Sequence, residues 1–326
     1  MDAAVFDDTA PDDATVRAVL ERADRAPSLH NSQPWRWHWN GVRLALHVDP
    51  DRLLPSTDAF NRQGIIGCGI ALHHAATACA AAGWQPRIRR FPKPTDRTCL
   101  ATLEFDGRGD VLDTDSELAA AIDHRYTDRA PYTPAPHWPD LVPVLDELCR
   151  RHDTRLLTID AASRATLAEI SWTAATTRRH DPHYRTELMW WLGGAGPDAG
   201  VPASAIPARE DIERVPTNRV FLPGTADPGP EQQDHAHIVA LTSPDDTIES
   251  LLACGEALSA VLLECTVHEL ATCVMSHLTE LPATRARVAT AIGDPHPQIF
   301  LRIGSATAPM PPRTPRRPVE DVLEAG

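Results

Sequence analysis

Three short segments carry side chains whose types and spacing could do chemistry. The first, Ala26-Pro27-Ser28-Leu29-His30-Asn31-Ser32-Gln33-Pro34-Trp35, gathers hydroxyl, imidazole and amide groups in a loop pinned by prolines. Such a loop can offer hydrogen bonds to a planar heterocycle while Pro27 or Trp35 packs nearby. Read bare, it is equally a capped turn. The second, Arg125-Tyr126-Thr127-Asp128-Arg129, and the third, Arg313-Thr314-Pro315-Arg316-Arg317-Pro318, cluster guanidinium groups beside a hydroxyl. Each guanidinium is a planar fork of donors that suits a phosphate monoester. The same arginines could form a solvated basic patch, or salt bridges to the plentiful carboxylates.

Composition narrows the alternatives. Of 31 basic residues only Lys93 is a lysine, and it lies between Pro92 and Pro94. That argues against a Schiff-base lysine, and no Gly-x-x-x-x-Gly-Lys-Ser/Thr loop is present, so any bound phosphate falls to arginine or backbone amides. A net charge of −14 and an isoelectric point near 5.5 argue against a nucleic-acid partner, which needs a basic footprint. A serine hydrolase would need Gly-x-Ser-x-Gly, which is missing. His268-Glu269-Leu-Ala-Thr272 lacks the second histidine of a zincin helix. The pairs His235/His237 and His180/His183 have no carboxylate completing a triad, so no metal is expected. The seven cysteines include no Cys-x-x-Cys and read as buried small hydrophobes in a reducing cytoplasm. The acidic start, Met1-Asp2-Ala3-Ala4, has no secretion pattern, in keeping with a cytoplasmic location.

These segments must be positioned by regular elements. At 326 residues the chain suggests two units or one large α/β or barrel domain. Val16, Val19, Leu20 and Ala23 recur at helical spacing up to Pro27. Trp35, Trp37 and Trp39 alternate with polar residues, as do Val42, Leu44, Leu46 and Val48, with Asn40-Gly41 between them as a hairpin turn. Helices are predicted over Gly64–Gly83, Ser116–His124, Pro139–Cys149, Ser163–Thr177 and Ile248–Thr272. Strands are predicted over Leu100–Phe105, Arg155–Ile159, His237–Leu241 and Gln298–Ile303. The apolar run Gly64–Ala82 could reach across a bilayer, but His73-His74 at its centre makes it a buried core helix rather than a membrane span. Residues 193–233 are rich in Gly, Pro and Asp, too long for a plain connection, and with Trp190-Trp191 before them suggest a lid within 178–235.

An internal repeat organises the whole. Cys68-Gly-x-Ala-Leu with Cys79 is matched by Cys254-Gly-x-Ala-Leu with Cys265, each in a long apolar helix followed by a strand. An arginine pair follows each strand, Arg125/Arg129 and Arg313/Arg317. A duplicated, fused unit would pack its two long helices about a pseudo-twofold axis, as a homodimer does.

Together the three segments resemble the nitroreductase family of FMN-dependent oxidoreductases. The likeness is sharpest to the actinobacterial Acg-like branch, with its Ala-Pro-Ser-x-His-Asn-x-Gln-Pro-Trp loop (26–35), Cys-Gly-x-Ala-Leu helix and Arg-Arg-Pro tail (316–318). The resemblance implies an internally duplicated α+β fold, with a first half at 1–114 that keeps the flavin loop and a second at 115–326 that keeps the phosphate arginines. It implies FMN held by Pro27, Ser28, His30 and Asn31 from the first half and by Arg125, Thr127, Arg129, Arg316 and Arg317 from the second. Met275 and Ser276 would lie by the reactive edge of the ring. Thr127 stands where the family more often has Ser, and Arg129 where a lysine is common. The partners implied are NAD(P)H and a nitroaromatic, quinone or similar acceptor. The pseudo-dimer would be a monomer or weak homodimer with one working site and no catalytic side chain. The alternative is a flavin-holding protein whose lid covers the ring.

Overall fold

The structure is a computed structural model that describes residues 9–194, 196–220, 231–310 and 313–325. The acidic segment 1–8, residues 195 and 221–230 of the expected lid, and 311–312 of the tail lie outside the described residues. The first elements are α1 (Asp13–Ala23), the hairpin β1 (Trp35–Trp39) and β2 (Arg43–Val48), α2 (Arg62–Ala81), β3 (Arg87–Arg90) and β4 (Cys99–Glu104). Then come α3 (Asp113–His124), β5 (Tyr132–Thr133), α4 (Trp138–Arg150), β6 (Arg155–Thr158), α5 (Ala161–Arg179), α6 (Pro182–Met189) and α7 (Arg209–Arg214). The chain closes with β7 (His237–Thr242), α8 (Ile248–Val267), β8 (Ala271–Met275), α9 (His277–Glu280), α10 (Pro282–Ile292), β9 (Pro297–Ala306), α11 (Val319–Val322) and β10 (Leu323–Ala325). The fold is α+β.

The hairpin turns at Gly41, whose φ of +87° suits a residue without Cβ, while the Asn40 side chain accepts from the N–H groups of Val42 and Arg43. One expected element is shorter: the helix predicted over Ile248–Thr272 ends at Val267, and Ala271–Met275 is β8. Glu269, at φ +56°, turns the chain between them. The edge strand β3 carries Arg87, Arg89 and Arg90, so its charge hid it from periodicity, and charge also blunts an open edge against further pairing.

The two sheets have the same strand plan. One is ordered β10-β1-β2-β4-β3; in the other β9 lies between β7 and β8, and β6 flanks β7. The runs β1-β2-β4-β3 and β6-β7-β9-β8 are both antiparallel throughout. A register shift falls between Leu46 and His47 where β2 meets β4, and between Leu241 and Thr242 where β7 meets β9. In each run the long helix joins the second and third strands in sequence. The C-terminal β10 returns to pair in parallel with β1.

The helices α2 and α8 cross at the repeated Cys-Gly motif. A Cβ on Gly69 would lie 2.2 Å from the Leu252 carbonyl oxygen, and one on Gly255 2.1 Å from that of Ile66. The two glycine Cα atoms therefore meet with no room for a side chain. Both helices are apolar on nearly every face, which suits a helix surrounded by protein. Each is long and apolar enough to cross a membrane by length and composition, yet most of each is buried inside the protein.

A polar knot ties α1 to the first sheet. The buried Asp24, following α1, accepts from the indole N–H groups of Trp35 at 2.8 Å and Trp37 at 3.4 Å. Burial pushes its carboxyl up to about 7, against the pull of the two indoles and of Arg317 and Arg316. The fold thus retains a proton that the unfolded chain gives up near 3.8. Native stability falls as pH rises between these values and changes no further above them. Asp24→Asn keeps an oxygen for both indoles; in urea denaturation it should match the parent at pH 4 and exceed it at pH 8 by on the order of 3 kcal/mol. Gly69→Ala should lower stability by about 1–3 kcal/mol despite alanine's better helix propensity, because the helices must move apart. A thermal melt that shows no loss would contradict the close crossing.

Candidate functional site

A cleft of about 1340 Å³, its open mouth included, lies beside the first turns of α2. The loop before β1, the segment after α3, the end of β8 and the C-terminal tail converge on it. Pro27, Ser28, His30, Asn31, Arg125, Thr127, Arg129, Met275, Ser276 and Arg316 all line it. Arg317 does not.

Part of the cleft wall is a cluster of arginines. Arg125 caps α3 and is buried; its Nη2 donates to the Arg25 carbonyl at 3.5 Å, while its Nε and Nη1 have no acceptor among the described residues. Burial, and Arg25 beside it, lower the Arg125 guanidinium to about 10. Among the described residues the Nε of Arg25 also lacks an acceptor. Arg313 reaches in from the tail and donates to the Asp123 carbonyl at 2.9 Å. Buried donors without acceptors are costly, and a multiply charged oxyanion would satisfy them.

Arg316 lines the cleft and is also tied to the end of α1. It donates from Nε to the Asp24 carbonyl at 2.7 Å, from Nη2 to that of Arg25 at 3.0 Å, and from Nη1 to the Thr314 hydroxyl at 2.7 Å. It brackets the negative end of α1 while lining the cleft. Arg317, expected in the phosphate clamp, turns the other way, to the carbonyls of Trp35 at 3.3 Å and Asp321 at 2.6 Å. Arg25 and Arg313 line the cleft instead.

The Pro-Ser-x-x-Asn-x-Gln loop is held in an uncommon shape. His30, Asn31 and Gln33 have φ of +51°, +56° and +51°. Non-glycine residues in this region cost about 1–3 kcal/mol each where the surroundings hold them there. Ser28 Oγ accepts from the Gln33 N–H at 2.9 Å. Asn31 Nδ2 donates to the carbonyls of Gly200 at 2.9 Å and Pro315 at 3.0 Å. Gln33 Nε2 donates to the Asp198 carbonyl at 2.9 Å, and its Oε1 accepts from the Arg317 N–H at 2.8 Å. The loop's amides thus fasten the segment around residue 200 and the tail over the cleft. Burial, with Arg219, Arg129 and Arg178 nearby, keeps His30 far below the usual histidine range and neutral.

The expected lid is pinned at its base as well. Arg178 donates to the carbonyls of Ser56 at 2.5 Å and Thr57 at 2.8 Å, while Glu187 accepts from the N–H groups of the same two residues at 2.9 and 2.8 Å. Trp191 is buried beneath the Arg52 guanidinium, 5.4 Å from the ring, whereas Trp190 is exposed and does not line the cleft.

Another part of the cleft wall includes Arg219 and Asn218, which motif reasoning did not single out. Arg219 is buried, donates from Nη1 to the Tyr184 hydroxyl at 2.9 Å and from Nη2 to Ser276 Oγ at 3.3 Å, and pairs with Glu280. Ser276 Oγ donates in turn to Glu280 Oε1 at 2.8 Å. Asn218 donates to the Arg129 carbonyl at 3.0 Å, and Arg129 to that of Ala205 at 3.0 Å. Thr127 is held by a parallel bridge to Thr272 of β8. Arg25 directly precedes the loop motif, so adjacency was a usable signal for it; Arg219 sits in a stretch without periodicity, where none existed. Among the described residues no group of three His, Cys, Asp or Glu side chains is placed to hold a metal. His237 instead stacks on Trp138 with ring centroids 4.2 Å apart.

No protein-family profile matches the chain. Among curated relatives, "Putative NAD(P)H nitroreductase acg" of Mycobacterium tuberculosis is 39% identical over 313 residues, covering 94% of this chain and 95% of the relative. "Putative NAD(P)H nitroreductase Rv3131" of the same organism is 39% identical over 323 residues, covering 96% and 92%. Among solved structures, the FMN- and NADPH-dependent nitroreductase NfnB from sphigopyxis sp. strain HMH aligns with a TM-score of 0.43 at 18% identity, over 64% of this chain and 97% of that one. That structural likeness is low, whereas the likeness to the two curated relatives spans nearly the whole of each chain. The protein belongs to the Acg-like family of NAD(P)H nitroreductases.

Proposed function

We propose that the cleft holds FMN and that the chain passes electrons from NAD(P)H to a nitroaromatic, quinone or similar small acceptor. The observation that carries this reading is Arg125, buried beside Arg25 and Arg313 in the cleft, with two donors that have no acceptor among the described residues. Arg25, Arg125 and Arg313 would hold the phosphate. Pro27, Ser28, Asn31, Arg129, Met275 and Ser276, which line the cleft, would hold the ring. When bound, FMN supplies the two-electron chemistry. The chain's own work is to orient the group, to exclude water with the pinned lid, and to place positive charge where negative charge develops. His30 stays neutral among three arginines, so it can offer or accept a hydrogen bond without adding charge.

A second reading is favoured by the lid. Asn31 and Gln33 tie down the segment around residue 200, and Arg178 and Glu187 pin the base of the lid to Ser56 and Thr57, which suits a protein that stores flavin and turns over little. Anaerobic NADPH separates the two: bleaching of the bound flavin supports the reductase, and persistent yellow colour supports storage.

The matched strand order and register shifts support descent of 1–114 and 115–326 from one duplicated unit with a single site. The shifts equate Leu46 with Leu241 and Ala101 with Ile299, and the crossing equates Gly69 with Gly255. On that correspondence Ile70 and Ser276, both lining the cleft, match Glu256 and Arg90. Those two form a bidentate ion pair at 2.8 and 2.7 Å, with Glu256 buried, so the counterpart position is filled by protein. With the pseudo-dimer interface internal, a monomer or weak homodimer follows. Seven unpaired, buried cysteines suit the reducing cytoplasm.

Purified protein reconstituted with FMN should bind one flavin per chain, measured by absorbance of the released flavin against protein. No retained flavin would sink both readings, and two per chain would sink the single-site account. Arg125→Gln should weaken FMN binding by about 10- to 100-fold in a fluorescence titration, the worth of charge-assisted hydrogen bonds.

A further inference from the structure

Arg219 and Glu280 form a buried ion pair of which only one member faces the cleft. The Arg219 side chain lines the cavity together with Ser276, His277 and His30; Glu280 lies behind them and is not part of the lining. Both side chains are almost fully removed from solvent, at 10% and 2% exposure. The arrangement is fixed from three directions. Glu280 belongs to α9, the short helix that starts just after the cleft-lining Ser276, and it accepts from the Ser276 hydroxyl at 2.8 Å. Arg219 donates to that same hydroxyl at 3.3 Å. Its other terminal nitrogen donates to the Tyr184 hydroxyl on α6 at 2.9 Å. The Ser276 hydroxyl hydrogen is therefore committed to Glu280, away from the cleft.

We propose that the Arg219–Glu280 pair is a fixed dipole, positive end toward the cleft, that sets the electron affinity of the flavin held there, with Arg219 as a positioning residue that also locks Ser276 to the lid helix α6. In a dry site such a dipole favours negative charge on the ring without reorganising when the charge arrives. The proposal rests on the reading that the cleft holds FMN and adds a role to residues outside the three motifs. It separates two duties: the Arg25/Arg125 end anchors the phosphate, while the Arg219 end governs the redox poise. It also makes Tyr184 the means by which lid position reaches the chemistry, because release of α6 removes one of the partners that aim Arg219.

The test is the midpoint potential of the bound flavin, read by its absorbance during anaerobic titration against a reference dye, in the full chain reconstituted with FMN. Arg219→Gln should shift the potential to more negative values, and Arg219→Lys should restore most of the shift. Glu280→Gln, which keeps an acceptor for Ser276 while removing the charge, should shift it to more positive values. Opposite signs are the signature of a dipole; a purely structural role would move both variants in the same direction or neither. If Arg219→Gln does not fold, Glu280→Gln alone decides: a positive shift supports the proposal, and no shift or a negative one overturns it. Yellow protein without opposite shifts overturns this proposal and leaves FMN binding intact, whereas colourless parent protein overturns both.

Discussion

Everything in this molecule is arranged around the contact between Gly69 and Gly255. Two long helices can bring their backbones this close only where neither carries a Cβ, and the carbonyl oxygens of Leu252 and Ile66 occupy the space a side chain would need. That crossing sets the separation of the two sheets. The first turns of α2 and the end of β8 both line the cleft. A wider crossing would pull the loop before β1 away from Met275 and Ser276. The site is thus a consequence of helix packing before it is a collection of polar side chains.

The electrostatics follow the same division between frame and site. The chain is strongly acidic, yet its cleft is lined by six arginines and a single aspartate. Some of those arginines are held by the frame while they face the cleft: Arg316 by the carbonyls that end α1, and Arg219 by Glu280 and Tyr184. Among the described residues Arg125 and Arg25 retain donors without acceptors inside the cleft, which a bound oxyanion would satisfy. With Lys93 as the one lysine of the chain, every cationic contact in the cleft is a guanidinium, favouring planar, bidentate recognition over a mobile point charge.

Much of this architecture was legible in the sequence, and the reasons differ by element. The hairpin was clear because Trp35, Trp37 and Trp39 alternate and Asn40-Gly41 marks the turn. The core helices were clear because apolar residues surround a repeated Cys-Gly pair. β3 was not, because an edge strand can carry three arginines, and β10 was not, because three residues hold no period. The ending of α8 depended on Glu269 adopting a left-handed conformation, which side-chain pattern does not encode. In the site, the loop and Arg125–Arg129 came to the cleft as their motifs implied. Arg317 did not, since adjacent residues of an extended tail point to opposite sides and only Arg316 faces inward. Arg219 and Asn218 reached the site through tertiary packing alone.

The central claim is that one flavin sits in this cleft with its phosphate between Arg25 and Arg125. A crystal structure of the chain grown with FMN tests it most directly. The account predicts a single flavin per chain, its phosphate oxygens within hydrogen-bonding distance of Arg125 Nε and Nη1, and the Arg90–Glu256 pair still closed. A phosphate bound elsewhere, or a flavin at the Arg90–Glu256 position, would contradict it.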